Sequence, residues 1–241
     1  MNRSGKTKRR FTAEIPGTNE NIPALAIRHC LVYSAVSHRM TDRTKIVPII
    51  LAAGSSKNLG MPKALARFGK QTALRIAVEN CLGEERPIVV LGCDWKLVRL
   101  EVPRPARTVV NRRWREGQLS SLLCALDCVD PTAAVLVYPV DHPLVEKLTV
   151  THIVREFRSR KSTEEIVMPR HRGRYGHPII LSPALRNELS TAMTAREVVY
   201  RIPERIRVFH AKTSAIYEDF DTPDTYLRCL RRFGAGEVSP K

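Results

Sequence analysis

Short apolar runs alternate along this chain with segments of helical period, and that alternation restricts the fold more than any other feature. The runs Ile46–Leu51 (IVPIIL) and Ala133–Val140 (AAVLVYPV) show no polar alternation, as expected of strands covered on both faces. Strands are predicted at 46–52, 87–92, 107–111, 134–139, 164–168, 178–181 and 205–209. Helices are predicted at 71–82, 94–100, 118–128, 146–159, 183–190, 194–201 and 222–232. Repeated βα units of this kind make a three-layer α/β domain with a mostly parallel, twisted sheet. After Pro169 the pattern becomes irregular, and no internal repeat is present.

The first strand runs into Leu51–Lys63, LAAGSSKNLGMPK. Ala52, Ala53, Gly54 and Gly60 leave the backbone uncovered, and glycine reaches the positive-φ conformations that turn N–H groups inward. Ser55 and Ser56 add hydroxyls; Lys57 and Lys63 add positive charge. At the carboxyl edge of an α/β sheet such a loop lies where ligands bind. No GK[ST] ends it, so it is not a Walker A loop, and no GxGxxG is present. A plain Gly/Ser turn between strand and helix is the alternative reading of these residues.

The loop resembles the LAAGxSxRxGxxK segment of the MobA/MocA-like NTP transferase family, and within it the molybdenum cofactor cytidylyltransferase group. Four further landmarks follow in the family's order: NRRWREGQLSSL (Asn111–Leu122), YPVDHP (Tyr138–Pro143), PRHRGRYGHP (Pro169–Pro178) and DFDTPDTY (Asp219–Tyr226). The resemblance spans residues 46–232 and implies a Rossmann-like nucleotidyltransferase fold of the nucleotide-diphospho-sugar transferase type. It implies a single domain over 40–241, with a nucleotide-binding half at about 46–145 and an acceptor-binding half at about 146–232.

In the implied reaction an acceptor attacks the α-phosphorus of a nucleoside triphosphate and expels pyrophosphate, so positioning and charge neutralisation carry most of the catalysis. Mg²⁺ ordinarily supplies part of that charge, held by one or two carboxylates. Asp141 closes the buried run AAVLVYPV at a strand's carboxyl end, and it is the leading metal ligand. The resemblance gives Asp221 as the second, supported by Asp219, where a short extended segment, 215–218, meets a helix beginning near Thr222. Asp221 serves equally well as the N-cap of that helix, with Pro223 in its first turn. Lys63 matches the lysine that the family places on the substrate phosphates. Where an arginine normally faces the triphosphate, this chain carries Asn58, a departure compatible with slow, specialised or absent catalysis.

Leu51 and the cradle residues Ala52 to Lys57, with Gly60, are thus the expected nucleotide contacts. By resemblance Ala53 favours CTP, because related guanylyltransferases carry a glycine there. Gly117 and Ser121 are placed to meet a pyrimidine edge, although a serine-capped helix start explains them too; Gln118 stands where methionine is usual. Arg172 and His177, in a Gly-rich arginine loop, suit an anionic acceptor, and His177 reads alternatively as a structural histidine. The implied acceptor is a molybdopterin-type cofactor, with a sugar phosphate or phospholactate as rivals. A molybdenum hydroxylase or its chaperone is the implied transient partner. Trp95 and Trp114 read as packing residues.

Residues 1–39 carry seven Lys/Arg against two Glu within a chain of net charge +16, lack a sustained period, and read as a disordered basic extension. Met40 offers an alternative translation start. Arg9-Arg10 suggests twin-arginine export, but Arg28 and His29 interrupt the apolar stretch behind it, so a cytoplasmic protein without a membrane span is expected. The remaining basic charge is scattered and accompanied by no zinc-finger, RRM or KH motif, which disfavours nucleic acid. No CxxC pair occurs among six cysteines; Cys124 and Cys128, four apart on a predicted helix, read as buried thiols.

Overall fold

A computed structural model describes residues 44–237; the basic N-terminal extension lies outside the described residues. The strands are β1 (Ile46–Ala52), β2 (Arg67–Phe68), β3 (Gln71–Thr72), β4 (Ile88–Leu91), β5 (Arg107–Val110), β6 (Ala134–Pro139), β7 (Ile166–His171), β8 (Arg174–Tyr175), β9 (Ile179–Leu181) and β10 (Ile206–His210). The helices are α1 (Ala73–Asn80), α2 (Trp95–Val98), α3 (Gln118–Leu126), α4 (Lys147–Arg158), α5 (Arg186–Thr191), α6 (Ala195–Arg201) and α7 (Pro223–Glu237). The main sheet runs β10-β7-β9-β6-β1-β4-β5, with β8 on β7. All its pairings are parallel except those of β9 with β6 and β7 and of β8 with β7.

β1 shows why the sheet is a middle layer. All seven of its residues are buried, and its alternate side chains serve opposite cores. Ile46, Ile50 and Ala52 pack with Leu74, Ile153, Phe157 and Cys229 on one face. Val47, Ile49, Leu51 and Ala53 pack with Leu122, Leu126, Leu189 and Val198 on the other. The period-two geometry of a strand sends neighbours to opposite sides, so a continuous apolar run requires helices on both. β1 pairs with β4 on one edge and β6 on the other. The crevice beyond its carboxyl end is therefore the place where an α/β sheet of this kind holds ligands.

Four local expectations need correction. Gln71 and Thr72 form an antiparallel ribbon with β2 instead of opening a helix, because Thr72 caps α1, its Oγ1 accepting from the Arg75 N–H at 3.2 Å. The segment Pro169–Pro178 is a β7–β8 hairpin and not an irregular loop, with Arg172 and Gly173 at its tip in positive φ (44° and 84°). The stretch expected to be extended before α7 is a 3-10 turn, Ser214–Tyr217, capped by Thr213 and anchored by buried Ala215 and Ile216. Finally, α3 ends at Leu126, which leaves Cys128 exposed and Cys124 half-buried; among the described residues the buried thiols are Cys81 and Cys229. No helix among the described residues is long and apolar enough to cross a membrane.

Candidate active site

Lys63 opens a 3-10 turn, Lys63–Leu65, directly after the cradle. Its backbone N–H donates to Ser56 Oγ at 2.9 Å, which closes the loop on itself. Its ammonium donates to Asp141 Oδ2 at 2.8 Å and also contacts Asp221 Oδ1. The carboxylates therefore converge on one cation although they come from different elements.

Each carboxylate is positioned by buried neighbours. Asp141 follows β6 in a tight turn, where the fully buried Tyr138 donates its hydroxyl to the His142 carbonyl at 3.0 Å. Asn80 Nδ2, on α1, donates to the Val145 carbonyl at 2.6 Å and ties the far side of that turn. Asp221 follows fully buried Phe220, whose ring meets Phe68 edge-on at 5.3 Å. Phe68 also packs edge-on against Tyr226 and Phe233 of α7, at 5.4 and 5.7 Å, and the Tyr226 hydroxyl donates to the Arg67 carbonyl at 2.7 Å. This aromatic cluster binds the chain just beyond Lys63 to the start of α7. Thr222, not Asp221, caps that helix: its carbonyl accepts from the Tyr226 N–H at 2.9 Å and its Oγ1 from the Thr225 N–H at 3.3 Å. Asp221 is thereby left to face Lys63.

Burial acts against the ionised form of Asp141, but the hydrogen bond from the His142 ring at 3.0 Å and the Lys63 ammonium outweigh it. Its carboxyl titrates well below the usual carboxylate range. Burial likewise opposes the charge on Lys63, and the two aspartates overcome it and raise its pKa. Asp141 and Lys63 are thus both ionised at neutral pH. Two hard oxygen donors converging on one point suit a divalent cation that takes its other ligands from phosphate and water.

A cavity of about 530 Å³ lies over this trio. Its wall includes Leu51 to Asn58, Lys63, Gly117, Ser121, Asp141 and Asp221, so the structure gathers nearly all of the expected nucleotide contacts. Gly117 adopts φ 104°, which only glycine accepts readily, at the start of α3. Ser121 is buried and receives a hydrogen bond from Asn111 Nδ2 at 3.0 Å. Gly60, in positive φ at the loop's outer turn, lines neither this cavity nor the next. Trp114, expected only to pack, also forms part of the wall together with Arg115 and Cys93.

A second cavity, about 340 Å³, shares Gln118, Pro139 and Asp141 with the first. His142, His177, Asp219, Tyr175, Tyr200 and Tyr217 line it with Arg196. The His177 ring stands edge-on to His142 at 5.2 Å, and its Nδ1 is buried without a hydrogen-bond partner. Arg172, at the hairpin tip, is exposed and lines neither cavity. Sequence reasoning missed His142, Arg196 and the three tyrosines, because single aromatic or basic residues in amphipathic segments carry no local signal of a shared wall.

Burial pushes His177 down to about 4, with the His142 ring adding to the shift and Asp141 opposing it. Its folded pKa lies below the ordinary histidine value of about 6.5, so it contributes stability that is complete above about pH 6.5 and is lost as pH falls toward 4. A full shift of this size corresponds to roughly 3 kcal/mol. Urea midpoints measured from pH 4.5 to 7.5 are expected to fall less steeply on acidification in His177→Gln than in the unaltered protein.

Residues 48–208 match the model of the MobA-like NTP transferase domain. The chain is 29% identical over 202 residues to nicotine blue oxidoreductase of Paenarthrobacter nicotinovorans, covering 79% of this chain and 98% of that protein. Among solved structures, Rv0371c of Mycobacterium tuberculosis H37Rv superposes with a TM-score of 0.66 at 28% identity, over 78% of this chain and 98% of that one. The same protein has been solved in complex with manganese, and that structure matches with a TM-score of 0.65 at 27% identity, over 78% and 99% of the two chains. A nucleotidyl transferase from Methanothermobacter thermautotrophicus shares the fold, with a TM-score of 0.67 at 18% identity over 80% and 99%. With a lysine bridging two aspartates beneath a backbone cradle, and a family model that covers most of the chain, this protein belongs to the MobA-like NTP transferase family and is a nucleotidyltransferase.

Proposed function

We propose that the enzyme transfers CMP from CTP to a molybdopterin-type cofactor in the cytoplasm, with Mg²⁺ as the metal and pyrophosphate as the leaving product. The observation that carries this reading is the convergence of Asp141 and Asp221 on Lys63 at the floor of a cradle-lined cavity. Residues 46–145 form the nucleotide half and 146–232 the acceptor half, with 1–39 outside the catalytic domain. Asp141 and Asp221 would hold the metal, and a bound divalent cation would offset charge on the substrate phosphates. Lys63 keeps the two carboxylates together and presents its ammonium to the reacting phosphate. Ala53 to Ser56 offer backbone and hydroxyl groups to the phosphates, and Gly117 and Ser121 border the base.

The second cavity supports the acceptor assignment. Its three tyrosines suit a flat conjugated ring better than a sugar phosphate or phospholactate, and because it shares Asp141 with the first cavity, an acceptor bound there would lie beside the residues proposed to hold the metal. A cytidylylated cofactor would pass to a molybdenum hydroxylase or its chaperone. The relative named an oxidoreductase favours a second reading, in which the aromatic cavity takes a conjugated heterocycle for reduction; Asn58, uncharged where the family has arginine, is compatible with it.

Pyrophosphate release separates the two. The purified enzyme is assayed with Mg²⁺ and each of CTP, GTP, ATP and UTP, with and without molybdopterin-type cofactor. The expected result is release with CTP that requires the cofactor. Silence with all four, together with reduction of nicotine blue by NADH or NADPH, would replace the transferase reading with the second.

A further inference from the structure

Lys63 is already matched by two carboxylates, so a cation of this chain that is free for a polyphosphate must stand elsewhere on the wall of the first cavity. That trio sums to a net negative charge. Asn58 faces the cavity without charge. The remaining cations on its wall are Lys57 and Arg115, and neither has a carboxylate partner among the described residues. The neighbouring Arg113 does, at 3.7 Å from Glu116.

Arg115 is also held in a particular pose. Its guanidinium lies 4.5 Å from the centroid of the Trp114 ring, an arrangement that restrains the plane of the group and leaves its N–H edge unused. Trp114 in turn is fixed against the cradle. A Cβ placed on Gly92 would come within 2.8 Å of both the Trp114 and the Ala53 Cβ atoms, so the two residues crowd the same glycine. The Trp114–Glu116 turn therefore stands beside the cradle with an unpaired arginine on the cavity wall.

We infer that Arg115 binds the polyphosphate of the nucleoside triphosphate, as the planar, two-pronged donor that the cradle itself lacks. The inference rests on the reading of this cavity as the nucleotide site. A guanidinium offers paired N–H groups to phosphate oxygens, whereas the flexible Lys57 ammonium offers a point charge. Binding through the β- and γ-phosphates distinguishes this role from stacking against the base or ribose, which CTP and CMP share.

Calorimetric titration of CTP and CMP into the unaltered protein, Arg115→Ala and Arg115→Lys tests it at fixed Mg²⁺. Arg115→Ala is expected to weaken CTP about tenfold and CMP less than about twofold, with Arg115→Lys between the two for CTP. Unchanged CTP affinity in Arg115→Ala, or equal losses for CTP and CMP, would overturn the assignment. If the unaltered protein binds none of CTP, GTP, ATP and UTP, the nucleotide reading of the cavity falls first, an outcome distinct from failure of the Arg115 variants alone.

Discussion

Asp141→Asn is expected to lower the transfer rate by about 10³ while leaving the affinity for nucleotide within a few-fold of the unaltered enzyme. The substitution preserves shape and removes only charge, and charge is what this position supplies. Asp141 is ionised far below neutral pH because His142 and Lys63 outweigh the cost of its burial. An amide there would leave Lys63 paired with the more exposed Asp221 alone, whose side chain is 59% exposed against 23% for Asp141. Metal dependence supplies the second readout: the variant should need a much higher Mg²⁺ concentration for half-maximal rate. Combined with Lys63→Met, the two losses should be far from additive, since both residues belong to one ion cluster. A variant that keeps more than a tenth of the rate would remove Asp141 from the metal site.

The second large effect is structural. Gly92→Ala should destabilise the fold by about 3 kcal/mol and also weaken nucleotide binding. Its new Cβ would sit 2.8 Å from the Cβ atoms of Ala53 and Trp114 and closer still to the Ala53 carbonyl oxygen. That oxygen accepts from the Cys93 N–H at 3.0 Å, so the methyl group has no soft neighbour to displace and must push the end of β4 away from the cradle. Denaturant unfolding gives the stability change, and CTP titration under native conditions gives the coupled loss. A loss of stability without loss of binding would separate the glycine from the site.

Much of this molecule is legible in its sequence. The unbroken apolar run of β1 required two helical layers, and the two cores draw alternate residues from it. Leu51–Lys63 could be read as a cradle because its small residues and lysines follow a strand directly, and the cavity wall includes most of it. Asp141 was legible for a similar reason, as the first polar residue at the end of a buried run. Three of the boundaries that shifted did so where a threonine side chain caps the start of an element, at Thr72, Thr213 and Thr222. Arg172 looked like a ligand residue by composition, yet a tight turn places it at a hairpin tip. The tyrosines of the second cavity gave no warning, since nothing local marks three rings as neighbours.

By itself, then, the sequence determined the periodic elements, the burial of β1 and β6 on both faces, and the chemistry available at their carboxyl ends, because period and polarity act over a few residues. Only the tertiary structure decided that β9 runs against its neighbours, and that Lys63 meets carboxylates 78 and 158 residues away. Those choices depend on long-range packing, above all the Phe68, Phe220 and Tyr226 rings that draw α7 to the cradle, and no local pattern encodes which distant surface an apolar face will cover.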